Sequence, residues 1–267
     1  MIEWYQALLL ALLQGFTEFL PISSSAHLVL PSLVLGWPDQ GLAFDVAVHV
    51  GTLSAVLWYY RKELAQMANA WVRSLSGGPV TADSRLVWYL GLATIPAGLV
   101  GLAAGDFIEN NLRTLPVLAT TTLVFGIFLG VAQRYGAAAG KGRALTLPLA
   151  LLIGLAQAIA PVPGVSRSGV TITAALLLGM DRQGAARFSF LLSIPIIGSA
   201  GALKLWQLLE AKLPVDWGSL ALGTLVAGIT AYLCIALFLR LLDRIGLMPF
   251  VYYRVALAAV LYLFWLY

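Results

Sequence analysis

The chain reads as an all-α integral membrane protein, an inverted-topology repeat of six full transmembrane helices plus two re-entrant helix hairpins. Three observations carry this reading: the composition, the lengths of ten apolar stretches, and the sidedness of the basic residues. Of 267 residues, 60% are hydrophobic and only 10% are charged, and mean hydropathy is +0.90. A soluble domain carries about 25% charged residues; here lipid must take the place of water around much of the surface. The net charge of +4 is too small to suggest a nucleic-acid partner. A single cysteine, Cys234, excludes a disulfide framework. No basic n-region precedes the first apolar stretch, so it is expected to stay in the mature protein.

The stretches follow in order. The first, about 4–20, ends at Pro21, which cannot extend a helical hydrogen-bond ladder. After the polar break Pro21–Ser25 comes 26–36, then three long stretches at 42–60, 86–104 and 114–133. The second half repeats the order: 144–160, a break at Pro161–Ser168, 169–179, then 187–209, 218–241 and 249–267. A crossing helix needs about 20 residues. The stretches 26–36 and 169–179 have about 11 each, so each pairs with its predecessor as a hairpin that enters and leaves on one side. Irregular backbone at that depth is tolerated only inside protein or beside a wet cavity. LLQGFTEFLPISSSAH (12–27) aligns without a gap on LAQAIAPVPGVSRSGV (155–170), and LATIPAGLVG (92–101) on LGTLVAGITA (222–231). A single membrane domain, 1–267, with internal repeats at about 1–135 and 144–267, follows. Each half crosses three times, so the second is inverted, and such repeats place a site near the midplane where broken helices meet.

The basic residues fit that topology. If 61–85 is cytoplasmic, so are 134–143, 181–187 and 240–248, and these hold Arg61, Lys62, Arg73, Arg85, Arg134, Lys141, Arg143, Arg182, Arg187, Arg240 and Arg244. The opposite loops hold only Arg113 and Lys212. This is the positive-inside pattern.

The two breaks carry the chemistry. Gln14 and Glu18 share a helix face, and a carboxylate at membrane depth costs several kcal/mol; it is either paired internally or serves as a metal ligand or proton-transfer group. Ser23, Ser24 and Ser25 stand before the next helix, where one suffices as an N-cap. Together with His27, which can move a proton or act as a nucleophile, they exceed what capping needs, and the helix N-terminus is itself an anion site. In the second break Gly164 and Gly169 permit a tight turn, Ser166, Ser168 and Thr171 supply hydroxyls, and Arg167 supplies a planar fork suited to phosphate. Pairing of Arg167 with Glu18 as structural glue is the other reading. Lys204, Arg254, Asp45 and His49 are weaker signals; for Asp45 and His49, one helical turn apart, a pocket role and an internal pairing are equally open.

QGFTEFLPISSSAH (14–27) and PGVSRSG (163–169) resemble the two signatures of the bacterial undecaprenyl-diphosphatase, or bacitracin-resistance, family, and FDVAVHVGTLSAVLWYYRKEL (44–64) resembles its intervening region. The similarity spans essentially the whole chain. It implies a multi-pass enzyme of the bacterial inner membrane. Such an enzyme removes one phosphate from undecaprenyl diphosphate on the extracytoplasmic side, with a divalent metal, and so recycles the lipid carrier of cell-wall synthesis. Matching positions carry over Gln14, Glu18, Ser24, His27, Ser166, Arg167 and Thr171. The catalytic set is then Glu18, Ser24, His27 and Arg167, with Mg²⁺ or Ca²⁺ on Glu18 and Gln14. Ser23, Ser25, Gly164, Ser168 and Gly169 join Gln14, Ser166 and Thr171 around the diphosphate. Gln14 stands where some members carry Glu, and His49, where many carry Gln, is given no role. Whether Ser24, His27 or water attacks stays open, as does a homodimer. The rival expectation is a polyprenyl-phosphate flippase or small-anion transporter with the same midplane pocket, but a carrier has no need of Glu18, Ser24 and His27 beside an anion-binding arginine.

Overall fold

The computed structural model describes residues 2–136, 142–211 and 216–266, and among these all regular structure is helical. Eleven helices follow in order: α1 (Trp4–Thr17), α2 (Ser24–Leu35), α3 (Gly41–Tyr59), α4 (Arg61–Leu75), α5 (Ala82–Asn111), α6 (Leu115–Tyr135), α7 (Leu147–Gln157), α8 (Arg167–Leu177), α9 (Arg182–Ala211), α10 (Trp217–Ile245) and α11 (Met248–Leu266). Six of them, α3, α5, α6, α9, α10 and α11, are long and apolar enough to cross a membrane. Along α10, Leu225, Ile229, Leu233 and Leu237 are all exposed at four-residue spacing. A continuous apolar face of that length suits lipid and not water.

The ten expected stretches each fall on a helix, and α4 is additional. Residues 61–85, expected as loop, instead form α4, a short turn and the start of α5. α4 buries Met67, and one turn before it on the same face Glu63 Oε1 accepts from Arg187 Nε of α9 at 2.8 Å. Residues 106–111 are likewise the last turns of α5, and 182–187 and 240–245 lie within α9 and α10.

The segments grouped by their basic residues do converge. Beyond the Arg187–Glu63 contact, Arg182 Nε reaches Gln133 at 3.2 Å, Gln183 reaches Asp243 at 2.8 Å, and Arg143 N donates to the Gly179 carbonyl at 2.8 Å. At another place Arg113 stands 3.7 Å from Asp39 and Lys204 3.9 Å from Glu109. Lys141 and Lys212, counted in that grouping, lie outside the described residues.

The two halves interleave. α1 packs on α10, α7 on α5, α3 on both α9 and α10, and α6 on α8 and α11. Gly51 lets α3 meet α10 closely, since a Cβ there would stand 2.3 Å from the Thr224 carbonyl oxygen; small residues serve this purpose between helices in lipid. Phe19 of the first break packs edge-on against Phe190 of α9 at 5.2 Å, and Phe190 continues to Phe238 of α10 at 5.7 Å. The first break is therefore anchored in the core of the second half.

Candidate functional site

The two breaks fold alike. Ser23 and Ser166 cap α2 and α8 at φ +74° and +72°, a region that non-glycine residues avoid, at a cost of about 1–3 kcal/mol each. Each is held by the same local bonds. Ser23 Oγ accepts from Ala26 N at 3.4 Å and lies 3.2 Å from Ser25 Oγ. Ser166 Oγ accepts from Gly169 N at 3.1 Å and lies 3.2 Å from Ser168 Oγ. The caps use one N–H of each first turn, and the N–H groups before it have no intrahelical acceptor. Two helix N-termini thus present donors.

A buried cation joins the breaks. Arg254 of α11, with no exposed surface, donates to the carbonyls of Thr122 (3.1 Å), Pro21 (3.3 Å), Gly164 (2.8 Å) and Val165 (3.2 Å). Ser168 Oγ adds a bond to the Leu20 carbonyl at 2.8 Å. Gly164, at φ +88°, could carry no side chain, since its Cβ would lie 2.1 Å from Thr121 Oγ1.

Glu18 is the hub. Its Oε2 accepts from Ser24 Oγ at 2.7 Å and from Gln14 Nε2 at 2.9 Å; its Oε1 accepts from Arg167 Nη2 at 3.0 Å. The first break's carboxylate and hydroxyl and the second break's guanidinium therefore form one chain. Arg167 Nη1 also donates to the Ser189 carbonyl at 3.1 Å, leaving three of its five N–H groups uncommitted by these two bonds. Thr171, expected at the diphosphate, faces inward: its Oγ1 bonds the Arg167 carbonyl at 2.9 Å and Ser189 Oγ at 2.7 Å, which fixes the Arg167 side chain's surroundings. Ser24 is half-buried and Ser25 exposed.

His27 lies apart from Ser24 in bonding. Its Nδ1 is 2.7 Å from the Ser23 carbonyl, which can only accept, so Nδ1 carries the proton and Nε2 accepts from the Tyr253 hydroxyl at 2.5 Å. Tyr253 gave no sequence signal and Arg254 only a weak one: from α11, Tyr253 reaches His27 and Arg254 reaches Pro21, each more than two hundred residues away. His49 is the third addition. Its Nε2 stands 4.0 Å from Glu18 Oε2. Asp45 is instead engaged by Gln40 Nε2 at 3.0 Å, and Lys204 stands by Glu109.

Gln14 and Glu18 are the residues that could hold a divalent cation. Gln14 is fully buried, and its Oε1 has no hydrogen-bond partner although its amide touches Glu18. Gln157, which aligns with Gln14, is also fully buried but leaves both amide atoms unpartnered.

The bacitracin resistance protein BacA family matches residues 7–260. The chain is 55% identical over 264 residues to the undecaprenyl-diphosphatase of Alcanivorax borkumensis, with 99% of each chain covered. It is 55% identical over 259 residues to that of Chromohalobacter salexigens, covering 97% of this chain and 98% of the relative. With the undecaprenyl-diphosphatase of Colwellia psychrerythraea it shares 56% over 262 residues, covering 94% and 95%.

Proposed function

We propose a function from one premise: the chain belongs to the bacitracin resistance protein BacA family. It is a multi-pass membrane phosphatase that hydrolyses undecaprenyl diphosphate to undecaprenyl phosphate and inorganic phosphate. The observation that carries the chemistry is the chain Ser24–Glu18–Arg167, closed at 2.7 and 3.0 Å across the two breaks.

In this reading Ser24 Oγ attacks the terminal phosphorus. Its proton passes to Glu18 Oε2, the bond to the bridging oxygen breaks, and undecaprenyl phosphate leaves with that oxygen. Water then cleaves the phosphoserine, giving inorganic phosphate and restoring Ser24. The free N–H groups of Arg167 and of the two helix starts meet the phosphoryl oxygens, because phosphoryl transfer depends chiefly on positioning and charge stabilisation. Tyr253 and the Ser23 carbonyl hold the His27 ring against the wall of the pocket. Glu18 and Gln14 would hold a divalent cation, Mg²⁺ or Ca²⁺ in the simplest case, which supplies charge neutralisation at the diphosphate. The isoprenoid tail leaves sideways into lipid. A cleft lined by Val46, His49 and Val50 of α3 and Ile197 and Gly201 of α9, which reaches Glu18 only through His49, would take the tail.

The test is release of phosphate from undecaprenyl diphosphate by purified protein in detergent, with the terminal phosphorus labelled. A trapped label stable to acid and to hydroxylamine is the expected phosphoserine. An acid-labile label would assign the attack to His27, and a hydroxylamine-labile one to Glu18. Absence of any phosphate release would sink the function.

The finer architecture belongs to the same proposal. α1–α2 and α7–α8 are re-entrant hairpins of an inverted repeat in the bacterial inner membrane. The matched breaks and the reciprocal packing of α1 on α10 and α7 on α5 support it. With the basic segments cytoplasmic, a Cys at Asn110 should react with an impermeant thiol reagent from outside and one at Ser76 should not, both in a Cys234→Ala background. The reverse pattern removes the orientation, and with it an extracytoplasmic active site.

A further inference from the structure

We propose that His49 is a third protein ligand of the divalent cation at Glu18, making a mixed oxygen and nitrogen site that takes a first-row transition ion in preference to Ca²⁺. The inference rests on the metal-dependent phosphatase reading above and deepens it.

The first argument is orientation. His49 Nδ1 lies 2.7 Å from the Asp45 carbonyl oxygen, one helical turn back in α3. A carbonyl only accepts, so Nδ1 holds the proton and the lone pair of the neutral ring sits on Nε2. Metal-ligating histidines are commonly fixed by this bond, the second ring nitrogen donating to a carbonyl or carboxylate. The free nitrogen stands 4.0 Å from Glu18 Oε2. Two ligands about 2.1 Å from one ion stand about 3–4 Å apart, so the pair brackets an ion with little movement.

The second argument is the unpartnered oxygen. Gln14 Nε2 and Ser24 Oγ now occupy Glu18 Oε2, while Gln14 Oε1 is buried without a partner. Half a turn of the terminal amide exchanges the two ends. It frees one lone pair of Oε2 and brings Oε1 to the same point, and Ser24 keeps its bond to the carboxylate. Glu18, Gln14 of α1 and His49 of α3 would then offer oxygen and nitrogen donors around Glu18 Oε2.

A plain ion pair explains the geometry less well. Glu18 already has Arg167 at 3.0 Å, and a second cation at 4.0 Å would add little. Imidazole favours first-row transition ions, whereas Ca²⁺ prefers an all-oxygen shell, so His49 gives the site its selectivity.

The experiment uses untagged protein and Mn²⁺ as the probe, read by electron spin echo modulation. The chain has two histidines, and both ring nitrogens of His27 are engaged, at 2.7 and 2.5 Å. Directly bound ¹⁴N modulation is therefore expected in the wild type and lost in His49→Gln. The same variant should bind Mn²⁺ at least about tenfold more weakly, since even orienting partners of a ligand are worth about 10–100-fold, and Ca²⁺ should compete better in it. Wild-type Mn²⁺ binding without imidazole coupling overturns the proposal, while chelator-sensitive hydrolysis would leave the phosphatase reading intact. Coupling that persists in His49→Gln assigns it to His27 and overturns it equally. Full hydrolysis in excess chelator, with no Mn²⁺ bound, overturns both the ligand and the metal.

Discussion

Ser24→Ala turns over undecaprenyl diphosphate at least about a thousandfold more slowly than the wild type, with stability lowered by no more than about 3 kcal/mol. The rate term follows from removing a nucleophile, which in a well-studied serine enzyme costs about 10⁶; the smaller figure allows for water attacking in its place. The stability term follows from what Ser24 holds. It is half-buried, and the loss is one hydroxyl donor to Glu18, a carboxylate that keeps Gln14 and Arg167, so one charge-assisted hydrogen bond goes, worth about 1.5–3 kcal/mol. Ser25 is the control. It is exposed and meets only Ser23 Oγ at 3.2 Å, so Ser25→Ala stays within about threefold of wild type. Glu18→Gln is a less clean test, because it strands the buried Arg167 charge and invites about 3–5 kcal/mol of destabilisation. The measurement is steady-state phosphate release and thermal unfolding on the same preparations. Ser24→Ala and Ser25→Ala with equal, near-normal turnover would remove Ser24 as nucleophile and leave water or His27.

Which residues were legible follows from how far away their partners lie in the chain. Pro21, Pro161 and Pro163 interrupt apolar runs, so both breaks and the short helices α2 and α8 could be placed from local signals. Glu18, Ser24 and Arg167 were legible because charge and hydroxyls at membrane depth need a reason. α4 was not, because Arg61, Lys62, Glu63 and Arg73 read as loop, although Leu64, Met67 and Trp71 mark one helical face. The far ends of α5 were hidden by Asp83, Arg85, Asp106 and Glu109 in the same way. The roles of Arg254, itself only a weak signal, and of Tyr253 were illegible for a deeper reason. Their partners are a set of backbone carbonyls and one ring nitrogen brought together only by the tertiary fold, and a carbonyl oxygen leaves no mark in a sequence. His49 lay in between. Its turn-mate Asp45 suggested an internal pair, and only the packing of α1 against α3 turns its free nitrogen toward Glu18.

Arg254 and Arg167 should fail in opposite ways when each becomes lysine. Arg254 spends its Nε, Nη1 and Nη2 on carbonyls of the first break, the second break and α6. Gly126 has no side chain where one would press within 2.9 Å of the Arg254 Cβ. Lysine cannot reproduce a planar fork, and it would leave several carbonyls unpaired in a buried place, each costing about 1–3 kcal/mol. Arg254→Lys is therefore expected to lose more than about 3 kcal/mol of stability, read as a large fall in the unfolding temperature in detergent. Arg167 differs because two of its N–H groups hold Glu18 and Ser189 and three remain. A lysine can keep the ion pair with Glu18, so the fold survives. It cannot keep that pair, the Ser189 bond and a two-point phosphate contact together. Loss of one preorganised contact costs about 10²–10³ in turnover, so Arg167→Lys should unfold like wild type and hydrolyse at least about a hundredfold more slowly. Unfolding and hydrolysis measured on both variants separate the roles. An unstable Arg167→Lys would make Arg167 a brace for Glu18 and nothing more. A stable variant with near-normal turnover would take its guanidinium off the phosphate. A stable Arg254→Lys with lost activity would move the phosphate contact to Arg254, against the bonds that now hold it.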